Sequence, residues 1–203
     1  MRTHTKETQD KLTPDLALEI LKEGNGRFMQ NLKANRNLLQ QVNETSEGQY
    51  PFAVILSCID SRAPVELIFD QGLGDVFSIR VAGNVINDDI LGSMEFACKV
   101  AGSKLVVVLG HSSCGAVKGA CASVQLGNLT GLLNKINPAI REVKGSGETL
   151  DETQFVQKVA EKNVELVKEQ ILANSPVLSE MISEGDIGIV GGMYSVETGE
   201  VKF

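Results

Sequence analysis

Cys58, His111 and Cys114 are the residues of this chain best suited to chemistry. They stand in Ser57-Cys58-Ile59-Asp60-Ser61-Arg62 and in Gly110-His111-Ser112-Ser113-Cys114-Gly115-Ala116. Two thiolates and one imidazole are zinc ligands, and three protein ligands leave the fourth tetrahedral position free for water or substrate. A closed structural zinc site needs a fourth protein ligand near in sequence, and none is present. The chain has two histidines, and the other, His4, lies in a polar N-terminal stretch expected to be mobile. The set therefore reads as a catalytic metal site rather than a zinc finger. His-x-x-Cys alone is a weak signal. Joined to Cys58-x-Asp60-x-Arg62, it becomes specific.

Asp60 and Arg62 alternate with Cys58, so in extended backbone they share its face. A carboxylate beside zinc can accept a hydrogen bond from bound water or coordinate the ion as a fourth ligand. Arg62 can hold Asp60 ionised through a bidentate pair. The plainer alternative is a purely structural Asp60–Arg62 ion pair. Cys114 sits where a strand turns into a helix, whose N-terminus favours a thiolate. Cys98 and Cys121 each fall inside a predicted helix without a ligand partner at suitable spacing, and read as small hydrophobes. Gly83-Asn84 and Gly191-Gly192 read as tight backbone contacts, since neither fits a phosphate-loop pattern.

The elements that must position these residues follow from pattern. Residues 14–31 form an imperfect amphipathic helix, and 32–49 a polar loop with some helix. Phe52-Ala53-Val54-Ile55-Leu56-Ser57 and Lys104-Leu105-Val106-Val107-Val108-Leu109 are unbroken apolar runs of strand length, as in a parallel sheet buried on both faces. Residues 76–81 and 186–196 are further strands, with a turn at 197–200 leading into a short end strand. Helices are expected at 64–71 with Gly72 as stop, and at 88–100 capped by Asp88 or Asp89. Others are expected at 115–124, at 128–143 with a break near Pro138, and at 151–174. Residues 144–149 read as a Gly/Ser linker. The long helix at 151–174 carries Phe155, Val156, Val159, Val164, Val167 and Ile171 on one stripe, and its charges form a solvated face. Strands alternating with helices predict an α/β fold with a mainly parallel sheet. Cys58 and His111 then lie just past two buried strands, at the carboxyl ends where open α/β sheets bind ligands.

Composition narrows the partners. The 203 residues are expected to form one domain, 1–203, with 42% hydrophobic and 22% charged residues, ordinary for a soluble globular protein. The net charge of −7 argues against nucleic acid and anionic membrane as partners. No apolar run reaches the roughly 20 residues of a membrane span. Four cysteines are not a disulfide-scaffold density, and zinc-binding thiolates suit a reducing compartment, so a cytoplasmic location is expected.

Cys58-x-Asp60-Ser61-Arg62 with His111-Ser112-Ser113-Cys114-Gly115-Ala116-Val117 resembles the β-class carbonic anhydrases. Agreement extends to Gly24-Asn25-x-Arg27-Phe28, to Arg80-Val81-Ala82-Gly83-Asn84 and to Gly191-Gly192-Met193-Tyr194-Ser195-Val196-x-Thr198-Gly199. The resemblance implies reversible hydration of CO2 to bicarbonate and a proton by zinc-bound hydroxide, with one Zn2+ per chain on Cys58, His111 and Cys114. It implies that Asp60 orients the hydroxide or closes the site, that Arg62 holds Asp60, and that Gln49, Phe77 and Phe96 line the substrate pocket, the two phenylalanines in part from a neighbouring subunit. It also implies a homodimer or homotetramer, with an N-terminal helical arm (1–35) packed on a partner subunit. The same site would suit a carbon disulfide or carbonyl sulfide hydrolase, and a non-catalytic zinc protein sensing bicarbonate is the rival outside enzymes. One subgroup has a Trp three residues before the first zinc Cys, part of a regulatory bicarbonate pocket. Here Ile55 stands there, while Arg80 and Tyr194 match other pocket positions. Position 96 is Phe where plant-type members carry Tyr. An open site, with Asp60 off the metal, and no cooperative bicarbonate inhibition are expected.

Overall fold

The computed structural model describes residues 3–203. Its strands are β1 (Ala53–Ser57), β2 (Val76–Arg80), β3 (Leu105–His111), β4 (Gly188–Tyr194) and β5 (Val201–Lys202). They form one sheet in the order β2-β1-β3-β4-β5, parallel except for β5. Every residue of β1 and β3 is buried, which is why both read as unbroken apolar runs. The helices are α1 (Lys6–Asp10), α2 (Pro14–Met29), α3 (Leu38–Glu44), α4 (Val65–Ile68) and α5 (Asp88–Glu95), then α6 (Gly115–Cys121), α7 (Gly127–Asn134), α8 (Asn137–Gly145), α9 (Glu152–Asn174) and α10 (Pro176–Ser183).

Strand alternation divides the core into two layers. Val54, Leu56, Val106 and Val108 face α5, α9 and α10 through Met94, Val167, Ile171 and Leu178. Ala53, Ile55, Leu105, Val107 and Leu109 face α2 and α4 through Ala17, Leu21, Val65 and Ile68. A third cluster caps the carboxyl ends of the strands and contains Cys58, Cys114, Val117, Ile136 and Val159. From β1 the chain passes through α4 to β2 on one side, and then to β3 on the other side of β1. The sheet therefore has its switch point at the carboxyl ends of β1 and β3, where such sheets open a crevice.

Several boundaries differ from expectation for local reasons. β3 runs on to His111, so that residue ends the strand instead of following it. The helix expected at 64–71 is the short α4, because Asp70 adopts φ 44 and closes it. Asn87, not Asp88 or Asp89, caps α5 by accepting from the Ile90 amide. The helix then continues as a π turn, Phe96–Val100, and Gly102 at φ 83 ends it. The break near Pro138 separates α7 from α8, with Pro138 in the first turn of α8. α8 runs through Gly145, taking up the start of the segment expected as a linker. Short helices α1 and α10 fall outside the expected elements, although Ser175 and Pro176 are a cap and first-turn signal for α10, and α3 is the helical part of the segment 32–49.

The N-terminal arm, expected on a partner subunit, packs on this chain's own body. Ala17 and Leu21 of α2 are fully buried against the sheet, and Gln9 donates to Pro51 O and Ala101 O, both at 2.8 Å. His4, expected in a mobile stretch, meets the Phe52 ring edge-on at 5.4 Å between centroids. Residues 1 and 2 of the arm lie outside the described residues. No helix among the described residues is long and apolar enough to cross a membrane.

Candidate metal centre

The switch point brings three donor atoms to one place. Cys58 follows β1, His111 ends β3, and Cys114 stands at the cap of α6. Their ligand atoms all lie within 4.8 Å of one another, and all three residues are buried. The two sulfurs are 3.9 Å apart. Ser113 adopts φ 55, a left-handed conformation costly for a residue with a Cβ. That turn folds strand into helix within three residues and lets His111 and Cys114 address one point.

The Ser112 carbonyl can only accept, so His111 Nδ1–H donates to it, at 2.9 Å. The tautomer is thereby fixed, with Nε2 left as the basic nitrogen. Ser112 is itself pinned to β4: its amide donates to Tyr194 O at 2.9 Å, and its Oγ accepts from Val196 N at 3.0 Å. His111 Nε2 is buried and has no hydrogen-bond partner. An orphaned buried nitrogen costs free energy, and here it points among two sulfurs. One zinc ion would satisfy all three atoms, so the donor set fits the metal that it was expected to hold.

Asp60 lies at the rim of this group, with Oδ2 4.0 Å from His111 Nε2. The segment is not extended as expected. Asp60 Oδ1 accepts from the Arg62 amide at 2.9 Å, closing a turn that the aspartate side chain itself nucleates. The Arg62 guanidinium folds back on the same carboxylate, Nε to Oδ1 at 2.9 Å and Nη2 to Oδ2 at 2.8 Å. These bonds from Arg62 hold the Asp60 carboxyl well below the usual carboxylate range, against a burial penalty. Arg80 is drawn into the same corner, donating to Cys58 O at 3.0 Å and to Asp60 O at 2.6 Å.

Within the triad, hydrogen bonding from Cys114 lowers the Cys58 pKa to about 4 despite burial, with help from the Gly83 amide. Cys114 moves the other way, first because it holds the Cys58 thiolate and then because it is buried. Burial opposes charge on His111, but the Cys58 thiolate and Asp60 outweigh it and raise its pKa. Cys98 is buried, and desolvation pushes it up to about 12, as suits an inert core thiol.

The other expected site residues are not joined to the triad in this chain. Gln49 is exposed in the segment entering the amino end of β1, whereas Cys58 leaves its carboxyl end. Phe77 and Phe96 do meet, edge to face at 6.3 Å, and line a cleft of about 650 Å³ with Ile79, Asp88 and Gly92 at the outer edge of the sheet. Phe77 is in register with Val54, four residues before Cys58, or roughly 13 Å along the strand. Sequence reasoning missed Asn163 and the link from Gly83 to Cys58. Position 163 falls on the α9 stripe between Val159 and Val167, and that spacing could have revealed it.

A carbonic anhydrase family model matches residues 53–201. Carbonic anhydrase 2 of Mycobacterium tuberculosis is 39% identical over 195 residues, covering 92% of this chain and 90% of that protein. The β-carbonic anhydrase CafA of Aspergillus fumigatus has a similar structure, with TM-score 0.75 and 28% identity over 93% of this chain and 88% of that one. A tetrameric β-carbonic anhydrase of Sordaria macrospora superposes with TM-score 0.70 and 26% identity, covering 80% of this chain and 88% of that one.

Proposed function

We propose that this chain, which belongs to the β-class carbonic anhydrases, hydrates CO2 reversibly to bicarbonate at one zinc ion held by Cys58, His111 and Cys114. The observation that carries this reading is the buried, mutually close triad with an orphaned imidazole nitrogen, set beside a carboxylate locked to an arginine. Zinc in such a set supplies a Lewis acid that lowers the pKa of water to about 7.

The chain's own residues do the rest. Ser112 O fixes the His111 ring so that Nε2 faces the sulfurs. Asp60 is kept ionised by Arg62, and its Oδ2 lies 4.0 Å from His111 Nε2. It orients the attacking water by accepting one of its protons in a hydrogen bond. Arg80 holds the main chain on both sides of Ile59, which keeps Cys58 and Asp60 in fixed relation.

Gln49, Phe77 and Phe96 act as pocket residues for a neighbouring subunit, because strand direction carries them away from the triad of their own chain. The exposed Leu38, Leu39, Val42, Phe96 and Val100 suit burial between copies, as does the edge strand β2. A homodimer is then the smallest complete unit, with a tetramer as its doubling. Two reduced cysteine ligands suit the cytoplasm.

The test is a proton-release assay with CO2 on protein of measured zinc content. One zinc per chain and catalysed hydration are expected; zinc-loaded protein without hydration would sink the assignment. Mixing inactive Cys114→Ser with a Gln49→Ala variant should restore activity if sites are shared between chains.

A further inference from the structure

Asn163 interrupts the apolar stripe of α9 and is only 3% exposed. Its Nδ2 donates to Gly83 O at 2.9 Å, linking residues eighty apart in sequence. The amide of the same glycine donates to Cys58 Sγ at 3.4 Å. Gly83 stands at φ 68 and Asn84 at φ 43, two left-handed residues in succession. A Cβ at Gly83 would lie 2.9 Å from Ile136 Cδ1 and 3.3 Å from Ala116 Cβ, so this turn is pressed onto α6 and the residue before α8. Lys135 Nζ pins the exit of the turn through Ile86 O at 2.6 Å.

We propose that Asn163 is a positioning residue of the metal centre, acting through Gly83 on the Cys58 sulfur. A left-handed residue other than glycine persists only where its surroundings over-determine it. The Nδ2 bond to Gly83 O supplies that constraint by holding the peptide just after the one that carries the Gly83 amide. It aims the Gly83 amide at Cys58, where an N–H bond to sulfur draws charge from the thiolate and fixes its direction. An apolar residue at 163 would serve the stripe equally well and would leave the Gly83 carbonyl buried without a partner. Hydrogen-bond partners of metal ligands are typically worth about 10–100-fold in metal affinity.

This inference rests on the triad being a zinc centre, so the zinc content of the wild-type protein is measured first. Asn163→Leu removes the donor while keeping the heavy-atom count and branching of the side chain, and Asn163→Ala removes it without bulk. Val167→Ala, one turn further along the same stripe, is the control for loss of packing alone. Both Asn163 variants should bind zinc about tenfold more weakly in competition with a chelator. In the cobalt-substituted protein they should shift the thiolate-to-metal charge-transfer band. Val167→Ala should lose stability and move neither readout. Wild-type zinc affinity and cobalt spectrum in the Asn163 variants would overturn the inference while leaving the centre intact. A wild-type protein that takes up no stoichiometric zinc would overturn both. If neither variant folds, wild-type protein loaded with the spin-active cadmium isotope decides. Through-bond coupling between the Gly83 amide proton and the metal is expected, and its absence from a resolved Gly83 signal would overturn the proposal.

Discussion

Among the described residues two aspartates have carboxylates bound by arginine, and only one of them borders the candidate metal centre. Asp70 is saturated. Its Oδ2 accepts from Arg27 Nε at 2.5 Å and from the Ala34 amide at 3.0 Å, its Oδ1 accepts from Arg36 Nη1 at 2.6 Å, and Arg36 also reaches its main-chain oxygen. The Asp60 carboxylate is bound by a single arginine, Arg62, with Arg80 only on its main-chain oxygen, and it keeps one side of Oδ2 turned toward His111. Both carboxyls are held below the ordinary range, so a depressed pKa does not distinguish them. The difference lies in what each has left to offer. Asp70 ties the loop after α2 to the end of α4, whereas Asp60 retains acceptor capacity beside three metal donors.

Substitutions at the two places should fail in different ways. The largest effect belongs to the triad. Cys114→Ser should lose both zinc and CO2 hydration, since a neutral hydroxyl is a poor zinc ligand. Metal analysis and the proton-release assay read the two losses, and full zinc content with full activity would refute the assignment. Next comes Asp60→Asn, which should keep its zinc and slow hydration by about a hundredfold, in the range for a lost proton-handling group. An unchanged rate from mildly acidic to mildly alkaline pH would remove Asp60 from catalysis and make its pair with Arg62 purely structural.

The triad was legible in sequence because metal ligation admits few residue types and parallel sheets place sites at strand ends. The fold class was legible for a related reason: β1 and β3 are buried on both faces and so carry unbroken apolar runs. Asp60 and Arg62 were legible as partners but not in their geometry. They converge through a turn that the aspartate side chain closes, not through strand alternation. Gln49 shows a different limit. Its distance from Cys58 in number says nothing of its place relative to the triad, and the direction of β1 is what carries it away. Arg36 and Asp70 meet across a stretch that includes α3, β1 and α4, with no period to mark them. Asn163 left a trace in helical spacing, but its target, a main-chain carbonyl, leaves none.

Asp70→Asn sharpens the contrast through stability rather than rate. It should leave activity per folded molecule unchanged and destabilise the protein by about 3 kcal/mol, as when one partner of a buried charge pair is removed. The pH dependence follows from the direction of the shift. Burial acts against ionisation of Asp70, but Arg27, the Ala34 amide and Arg36 outweigh it, so the folded pKa is lowered. Its contribution is fully present above the unfolded value of about 3.9 and is lost as pH falls through the lower folded value. Denaturation curves of wild type and Asp70→Asn should therefore differ at neutral pH and converge in strong acid. A constant gap down to pH values well below the unfolded pKa would show that the charge of Asp70 is not what stabilises.

The smallest expected effect concerns anion response, and it tests how firmly Asp60 is held. For Asp60 to reach the metal it must leave Arg62, giving up two side-chain bonds and the turn-closing bond from the Arg62 amide. A ligand drives such a change only through differential affinity for the two arrangements. The residues that could supply it are poorly placed. Ile55 is fully buried in β1 and offers no donor where an indole would. Arg80 already spends two donors on the carbonyls of Cys58 and Asp60. Bicarbonate should then inhibit hydration along a simple hyperbola, with a Hill coefficient of about one and no loss of the Asp60–Arg62 pair. Sigmoidal inhibition, or a crystal structure near neutral pH with Asp60 on the metal, would mean that the Arg62 clamp is weaker than its geometry implies. Asp60 would then be a switch as well as an acceptor, and its contrast with the saturated Asp70 would widen.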